Sequence, residues 1–193
     1  MRTPRHTLAL WALALFACGE PPVSQGPSLV INEVCPSNDG VWVDELGETD
    51  DWVELYNATA QPIDLAQYEI GDGTNVAPLP EYRLAPGEIL ILFADGETEQ
   101  SWRHLPFSLD ADGERVELWR GGSLIDRVVW GETAPNLSYA RLPGSTDPQR
   151  CEYPTPARPN GERCGPPPPP ELPPEVTFEP FTWPEPFPAP PGP

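Results

Sequence analysis

The side chains able to do acid–base, metal or covalent chemistry are few in kind: thirty carboxylates, two histidines (His6 and His104) and four cysteines (Cys18, Cys35, Cys151 and Cys164). Catalysis through imidazole would rest on His104, in the run Ser101-Trp102-Arg103-His104. No Gly-x-Ser-x-Gly elbow or other frame presents a nucleophile there. Paired carboxylates for glycoside chemistry could be drawn at will from thirty acids, so such a pair carries no information. The chain therefore reads as a non-enzyme. A zinc site is not expected either, because there is no Cys-x-x-Cys and His104 stands alone. Calcium is the one ion the spacing suggests. Asp44, Glu45, Glu48, Asp50 and Asp51 put five hard oxygen ligands into one loop, and Asp110, Asp112 and Glu114 gather around Gly113. The second group lacks the remaining ligands of an EF-hand loop and falls at a turn, so the first is the better candidate. Acids in an extended loop are most often simply solvated, and the expectation is a protein without a cofactor.

Net charge works against nucleic acid as a partner. At −19, with eleven basic residues that are all arginine, the chain has no basic stripe to meet phosphates. Proline divides the chain into three. Four of the thirty prolines lie in residues 1–27, twelve in 28–164 and fourteen in the last 29 residues. A head, one core and a tail are expected.

The head reads as an address. Arg2 and Arg5 precede ten uncharged apolar residues, 8–17, too short to cross a bilayer of about 30 Å. The stretch closes on Leu15-Phe16-Ala17-Cys18, which resembles a bacterial lipobox. The resemblance implies a signal peptide over 1–17, cleavage before Cys18, acylation of Cys18 and a flexible tether over 18–27. It places the protein, exported, at the outer membrane or cell surface of a bacterium. Several acyl chains anchor stably, since each buried CH₂ contributes about 0.8 kcal/mol. Loss of Arg2 and Arg5 leaves nine arginines against thirty acids, or −21, and anionic lipid repels such a body.

The core, 28–164, alternates short β-rich runs with turn residues. No apolar period of 3.6 persists for ten residues. The runs are 29–34, 52–57, 68–71, 88–94, 115–119 and 124–130, with shorter candidates at 41–43, 63–65, 82–84 and 138–142. Such spacing predicts an antiparallel sandwich or barrel. Gly121-Gly122 predicts a tight hairpin, and Asp112-Gly113 a second turn. Val116 and Leu118 should face one way, Glu117 and Trp119 the other. Trp52, Tyr56, Trp119 and Trp130 are expected to supply large buried areas. Asp64 and Asp126 are expected to cap turns through backbone N–H groups, and Glu54 to pair with Arg141.

The order of motifs is more specific than any one of them. Ile31-Asn32-Glu33-Val34 is followed by Asp51-Trp52-Val53-Glu54-Leu55-Tyr56-Asn57, then Pro62-Ile63-Asp64-Leu65 and Tyr68-Glu69-Ile70-Gly71-Asp72. Leu84-Ala85-Pro86-Gly87, Leu105-Pro106-Phe107-Ser108-Leu109, Asp112-Gly113-Glu114-Arg115-Val116-Glu117-Leu118 and Ile125-Asp126-Arg127-Val128-Val129-Trp130-Gly131 come next. Ser138-Tyr139-Ala140-Arg141 and Thr155-Pro156-Ala157-Arg158-Pro159-Asn160 end the series. This resembles a secreted bacterial lamin-tail domain over about residues 28–161. The resemblance implies an all-β, immunoglobulin-like antiparallel β-sandwich and no cofactor. Such domains accompany secreted nucleases, phosphoesterases or spore-coat-H-like kinase domains, and none of those catalytic parts is visible here.

In an oxidising compartment one disulfide is expected among Cys35, Cys151 and Cys164. Cys151–Cys164 closes the short loop and is favoured; Cys35 with either partner is the alternative. The tail, 165–193, reads as a disordered polyproline-type extension that could reach some 90 Å at about 3.1 Å per residue. Phe178, Phe181, Trp183 and Phe187 make it either a linker or a ligand for an aromatic-lined groove. The functional expectation is non-catalytic binding or scaffolding by an envelope lipoprotein. Its membrane contact is acylated Cys18, and its partner an envelope protein or surface ligand. The alternative is an accessory module or truncated fragment that positions a secreted enzyme, a spore-coat-H-like kinase or a hydrolase, encoded downstream or as a partner. Contact surfaces are expected on the end loops 38–51 and 97–104.

Overall fold

The computed structural model describes residues 28–161 of the chain. Twelve strands and one short 3₁₀ turn make up this region. They are β1 Leu29–Cys35, β2 Trp52–Asn57, β3 Ile63–Asp64, β4 Tyr68–Gly71, β5 Val76–Pro78, β6 Arg83–Leu84, β7 Ile89–Ala94, β8 His104–Leu105, β9 Arg115–Arg120, β10 Ser123–Val129, β11 Ser138–Arg141 and β12 Pro148–Cys151. One sheet runs β12-β11-β1-β2-β7-β8, the second β10-β9-β4-β5, and β3 pairs with β6. The expected all-β, immunoglobulin-like sandwich is the observed fold. Its ladders are antiparallel except at one place: β8 joins β7 in parallel, through Phe93–His104 and Ala94–Leu105.

The core between the sheets follows from period-2 alternation. Leu29, Ile31 and Val34 of β1, Val53 and Leu55 of β2, Leu90, Leu92 and Ala94 of β7, and Val116 and Leu118 of β9 form one buried cluster. Glu117 and Trp119 lie on the other face of β9, as the alternation requires. The four large aromatics divide differently from expectation. Trp130 joins the core. Trp52 is fully buried but on the outer face of the six-stranded sheet, with Cys35, Ile91 and Phe93, while Tyr56 and Trp119 are only half-buried. The core is mainly aliphatic because the alternation points Trp52 and Tyr56 outward from β2.

Residues 41–43 form no strand. The Asn38 side chain accepts from the Val41 and Trp42 N–H groups and donates to the Trp42 and Asp50 carbonyls, which occupies the polar groups a ladder would use. The Gly121-Gly122 hairpin forms as expected, with φ of 56° and 75°. Three short strands carry little periodic signal: β5, β8 and β12.

β1 contains a bulge at Asn32, between the pairs Ile31–Leu55 and Glu33–Glu54. Such an extra residue turns neighbouring backbone groups out of the ladder. Here the Ile31 N–H meets the second sheet and the Ile31 carbonyl meets a side chain of β11. The Asp126 carboxylate of β10 accepts the Ile31 N–H at 2.8 Å, and Arg141 of β11 donates Nε–H to the Ile31 carbonyl at 2.9 Å. Arg141 and Asp126 also pair directly, with side chains 12% and 8% exposed. This corrects two expectations. Asp126 staples the sheets rather than capping a turn, and Arg141 pairs with Asp126, not Glu54, because Arg141 projects toward the second sheet and Glu54 away from it. Asp64 does accept a local backbone bond, from Ala66 N–H at 3.2 Å.

Asp126→Ala leaves the Arg141 guanidinium and the Ile31 N–H without their shared partner. It is expected to cost about 3–5 kcal/mol. Glu117→Ala, which removes a pair to the half-exposed Arg115 and Arg127, should cost less than about 1 kcal/mol. Urea unfolding of the two variants checks the contrast, and equal losses would contradict the staple.

Candidate functional site

The loop after β1 is shaped by carboxylates that accept its own backbone N–H groups. Asp44 Oδ1 takes the N–H of Leu46 at 2.8 Å and of Glu48 at 2.7 Å. Asp51 Oδ1 takes the N–H of Asn38 at 2.9 Å. The loop returns to β7 through Ala94 N–H on the Asp51 carbonyl at 2.7 Å. From the other side, β7 ends at Ala94, Asp95 follows, and the chain loops back to enter β8 at His104. The two loops nominated from the sequence, 38–51 and 97–104, therefore meet at one end of the sandwich.

His104 stands where they meet. Its ring stacks on Phe93, with centroids 5.1 Å apart, and the residue is 4% exposed. Nδ1 lies 2.5 Å from Asp95 Oδ2. A carboxylate only accepts, so Nδ1 carries the proton and Nε2 faces the 38–51 loop. Nε2 lies 3.5 Å from Glu45 Oε1 and 4.0 Å from Asp44 Oδ2. Ligand atoms from Asp44, Asp50 and His104 all fall within 4.8 Å of one another. Asp44 Oδ2, Asp50 Oδ2 and His104 Nε2 are each buried without a hydrogen-bond partner. Burial opposes the imidazolium, but Asp95, Glu45 and Asp44 outweigh it and hold the His104 pKa above its ordinary value. Burial and the neighbouring acids Asp95, Asp44 and Glu48 raise Asp50.

Of the five acids considered for calcium, the fold brings Asp44 and Asp50 together with Glu45 at the margin. Glu48 instead accepts from Gln100 Nε2. Asp51 is committed to Asn38, and burial pushes its pKa up to about 6. The fold thus gathers Asp44 and Asp50 beside the His104 imidazole, with Glu45 at the margin, and does not bring all five acids to one point. His104 lies more than fifty residues from the acids, and only the parallel β7–β8 pairing brings it there; nothing local in the sequence signals this. Around Gly113, Asp110 accepts Asp112 N–H and Glu114 accepts Asp110 N–H, which satisfies a turn.

A second group of carboxylates is sealed. Glu33 and Glu54 face each other across β1 and β2, and both are fully buried. Glu33 accepts from the Ser138 hydroxyl, the Thr155 N–H and the Thr155 hydroxyl. Glu54 accepts from Asn32 Nδ2 and, at 2.8 Å, from Ala157 N–H. Asn160 donates to the Asn32 and Arg141 carbonyls at 3.0 and 2.8 Å. The motif Thr155 to Asn160 is thereby clamped onto the outer face of the sheet. Burial raises the Glu33 pKa and pushes Glu54 up to about 8, with Glu33 adding to the shift.

Beside the clamp lies an open cleft of about 720 Å³, lined by Val30, Tyr56, Ile89, Arg141, Pro148 and Pro159 among others. Cys35 is a free, buried thiol raised to about 12 by burial, hence unreactive. Cys151 is disulfide-bonded. Its favoured partner Cys164, the lipidation residue Cys18 and the tail aromatics Phe178, Phe181, Trp183 and Phe187 lie outside the described residues.

Comparison with known proteins adds one positive finding. A family model described as Lamin Tail Domain matches residues 22–132, more than half of the chain. β11 and β12, which complete the six-stranded sheet, lie beyond that match. No curated protein matches the chain.

The clamp has a pH signature. Glu54 binds its proton more tightly folded (about 8) than at the ordinary 4.5, so its contribution is full below about pH 4.5 and is lost as pH rises through 8. Glu33 acts in the same direction. Stability should fall between pH 5 and pH 8 by about 1.4 kcal/mol per pH unit for each proton released on unfolding. Glu54→Gln should flatten the slope, as urea midpoints at pH 5, 6.5 and 8 would show; an unchanged slope would contradict the clamp.

Proposed function

The chain belongs to the lamin tail domain family, and on that premise we propose that it is a non-catalytic binding or scaffolding module held at a bacterial cell surface. The family is a non-catalytic immunoglobulin-like one. The observation that carries the binding reading is the open cleft lined by Val30, Tyr56 and Ile89 of the six-stranded sheet together with Asp126 and Arg141. Val30, Tyr56 and Ile89 project there by alternation, and Asp126 and Arg141 bring polar groups to its edge. An open concavity with an apolar floor and a few placed polar groups suits recognition of another molecule.

Display at the surface is supported by the sequence of the head. The basic start, the apolar run 8–17 and Leu15-Phe16-Ala17-Cys18 together fit export followed by acylation of Cys18. The remaining −21 charge favours a domain standing off anionic lipid on its tether. The proline-rich residues 165–193 would then serve as a spacer or as a peptide ligand.

Two measurements test this reading. In envelope fractions, the wild-type chain should partition with membranes and incorporate labelled palmitate, and Cys18→Ala should lose the label and appear in the soluble fraction. A soluble, unlabelled wild-type chain would overturn the anchor. Pull-downs with residues 19–193 and 19–164 as bait should recover the same envelope partner, which Tyr56→Ala weakens at least about tenfold. Capture by the longer bait alone would move recognition to the tail and contradict the cleft.

A further inference from the structure

We propose that His104, Asp44 and Asp50, with Glu45 completing the set, bind a first-row divalent cation, zinc or manganese, that ties together the two loops at one end of the sandwich. The inference is independent of where the domain is displayed and of what its cleft binds.

A cluster of acids alone would not point to an ion, since exposed carboxylates are ordinary on so acidic a surface. His104 is what distinguishes this cluster. Its ring is buried and held on both sides, by the Phe93 stack and by the Asp95 carboxylate on Nδ1. A histidine whose far nitrogen is bonded to a carboxylate, fixing the tautomer and raising the basicity of the near one, is the arrangement found behind metal-bound imidazoles. The near nitrogen has no partner, and neither do Asp44 Oδ2 and Asp50 Oδ2, which converge on the same point.

Competing explanations leave the lone pairs unsatisfied. A proton on Nε2 would face Glu45 at 3.5 Å and Asp44 at 4.0 Å, both beyond good hydrogen-bond length. A cation at the convergence point satisfies an imidazole nitrogen and two carboxylate oxygens at once, and offsets the repulsion among them. Around such an ion neighbouring ligand atoms sit about 3–3.5 Å apart, so the present 4.0–4.8 Å spread must contract by roughly 1 Å. Asp50 is only partly buried and Glu45 is exposed, so their side chains have room to do this. The imidazole also selects the ion. Calcium and magnesium take oxygen ligands, whereas a mixed set of imidazole and carboxylates suits zinc or manganese.

The site has a structural consequence. Asp44 and Asp50 belong to the loop after β1, and His104 is fixed by Asp95 at the end of β7. An ion between them cross-links segments that otherwise meet through the Ala94–Asp51 backbone bond and the Gln100–Glu48 side-chain bond.

Calorimetric titration of the full chain, stripped with chelator, with zinc, manganese and calcium chlorides tests the proposal, together with thermal melts in each ion. Zinc or manganese should bind at one equivalent and raise the melting temperature, and Asp50→Asn should lower the affinity by about tenfold or more. Asp112→Asn, in the self-capped turn, should leave affinity unchanged. Asp50 makes no hydrogen bond through Oδ2, so the variant should keep the wild-type near-ultraviolet circular dichroism. If it does not, Asp95→Asn, which alters only the support of the imidazole, should itself lower affinity about tenfold. Absence of one-equivalent binding would overturn the site, as would affinity that is the same in every variant. Calcium bound more tightly than zinc and manganese would overturn the assignment of the ion.

Discussion

The position of one residue, Asn32, governs what the two faces of the first strand do. Without the bulge, the alternation that buries Leu29 and Ile31 would send Glu33 into the aliphatic core, where an ionised carboxylate is prohibitively costly. The extra residue shifts the phase, so that Val34 turns inward and Glu33 outward. The same kink frees the Ile31 backbone for Asp126 and Arg141, which bind one sheet to the other. On the opposite face it puts Glu33 against Glu54 and supplies the Asn32 amide and carbonyl that hold Glu54 and Asn160. Sheet docking and closure of the C-terminal motif are thus two results of a single insertion.

The phase shift also sets the far end of the strand. Cys35 faces outward beside Trp52, Ile91 and Phe93, and this second cluster forms the floor beneath the end loops. Phe93 then carries His104. The ring of the candidate metal ligand thus rests on the outward-facing cluster that Cys35 joins because of the bulge at Asn32. A polar site built on packed aromatic and aliphatic side chains holds its geometry better than one built on loops alone.

Much of this architecture is legible in one sequence, because period-2 alternation and turn residues are local signals. β2 and β4 occupy the residues expected of them, and Gly121-Gly122 forms its hairpin because both positions need positive φ. The failures share a cause. Residues 41–43 are β-rich, but Asn38 competes for their backbone groups. β8 is a strand only because the longer β7 lends it partners, and β12 only because β11 does. Arg141 was assignable to any nearby acid, and the choice of Asp126 over Glu54 depends on which face of the sheet each occupies. The acids of the 38–51 loop were visible as a group, but the selection of Asp44 and Asp50, and the arrival of His104, are set by long-range pairing. Chemistry carried by clustered residues is readable from spacing; chemistry assembled by the fold is not.

On our proposal this end of the sandwich is an ion site rather than a group of mutually buried charges. Crystals of the chain soaked in manganese or zinc, with anomalous differences collected at the metal's absorption edge, test it most directly. One dominant peak is expected, bounded by His104 Nε2, Asp44 Oδ2 and Asp50 Oδ2, with Asp95 still on Nδ1. A map with no peak there, and with Nε2 hydrogen-bonded directly to Glu45 or Asp44, would contradict it.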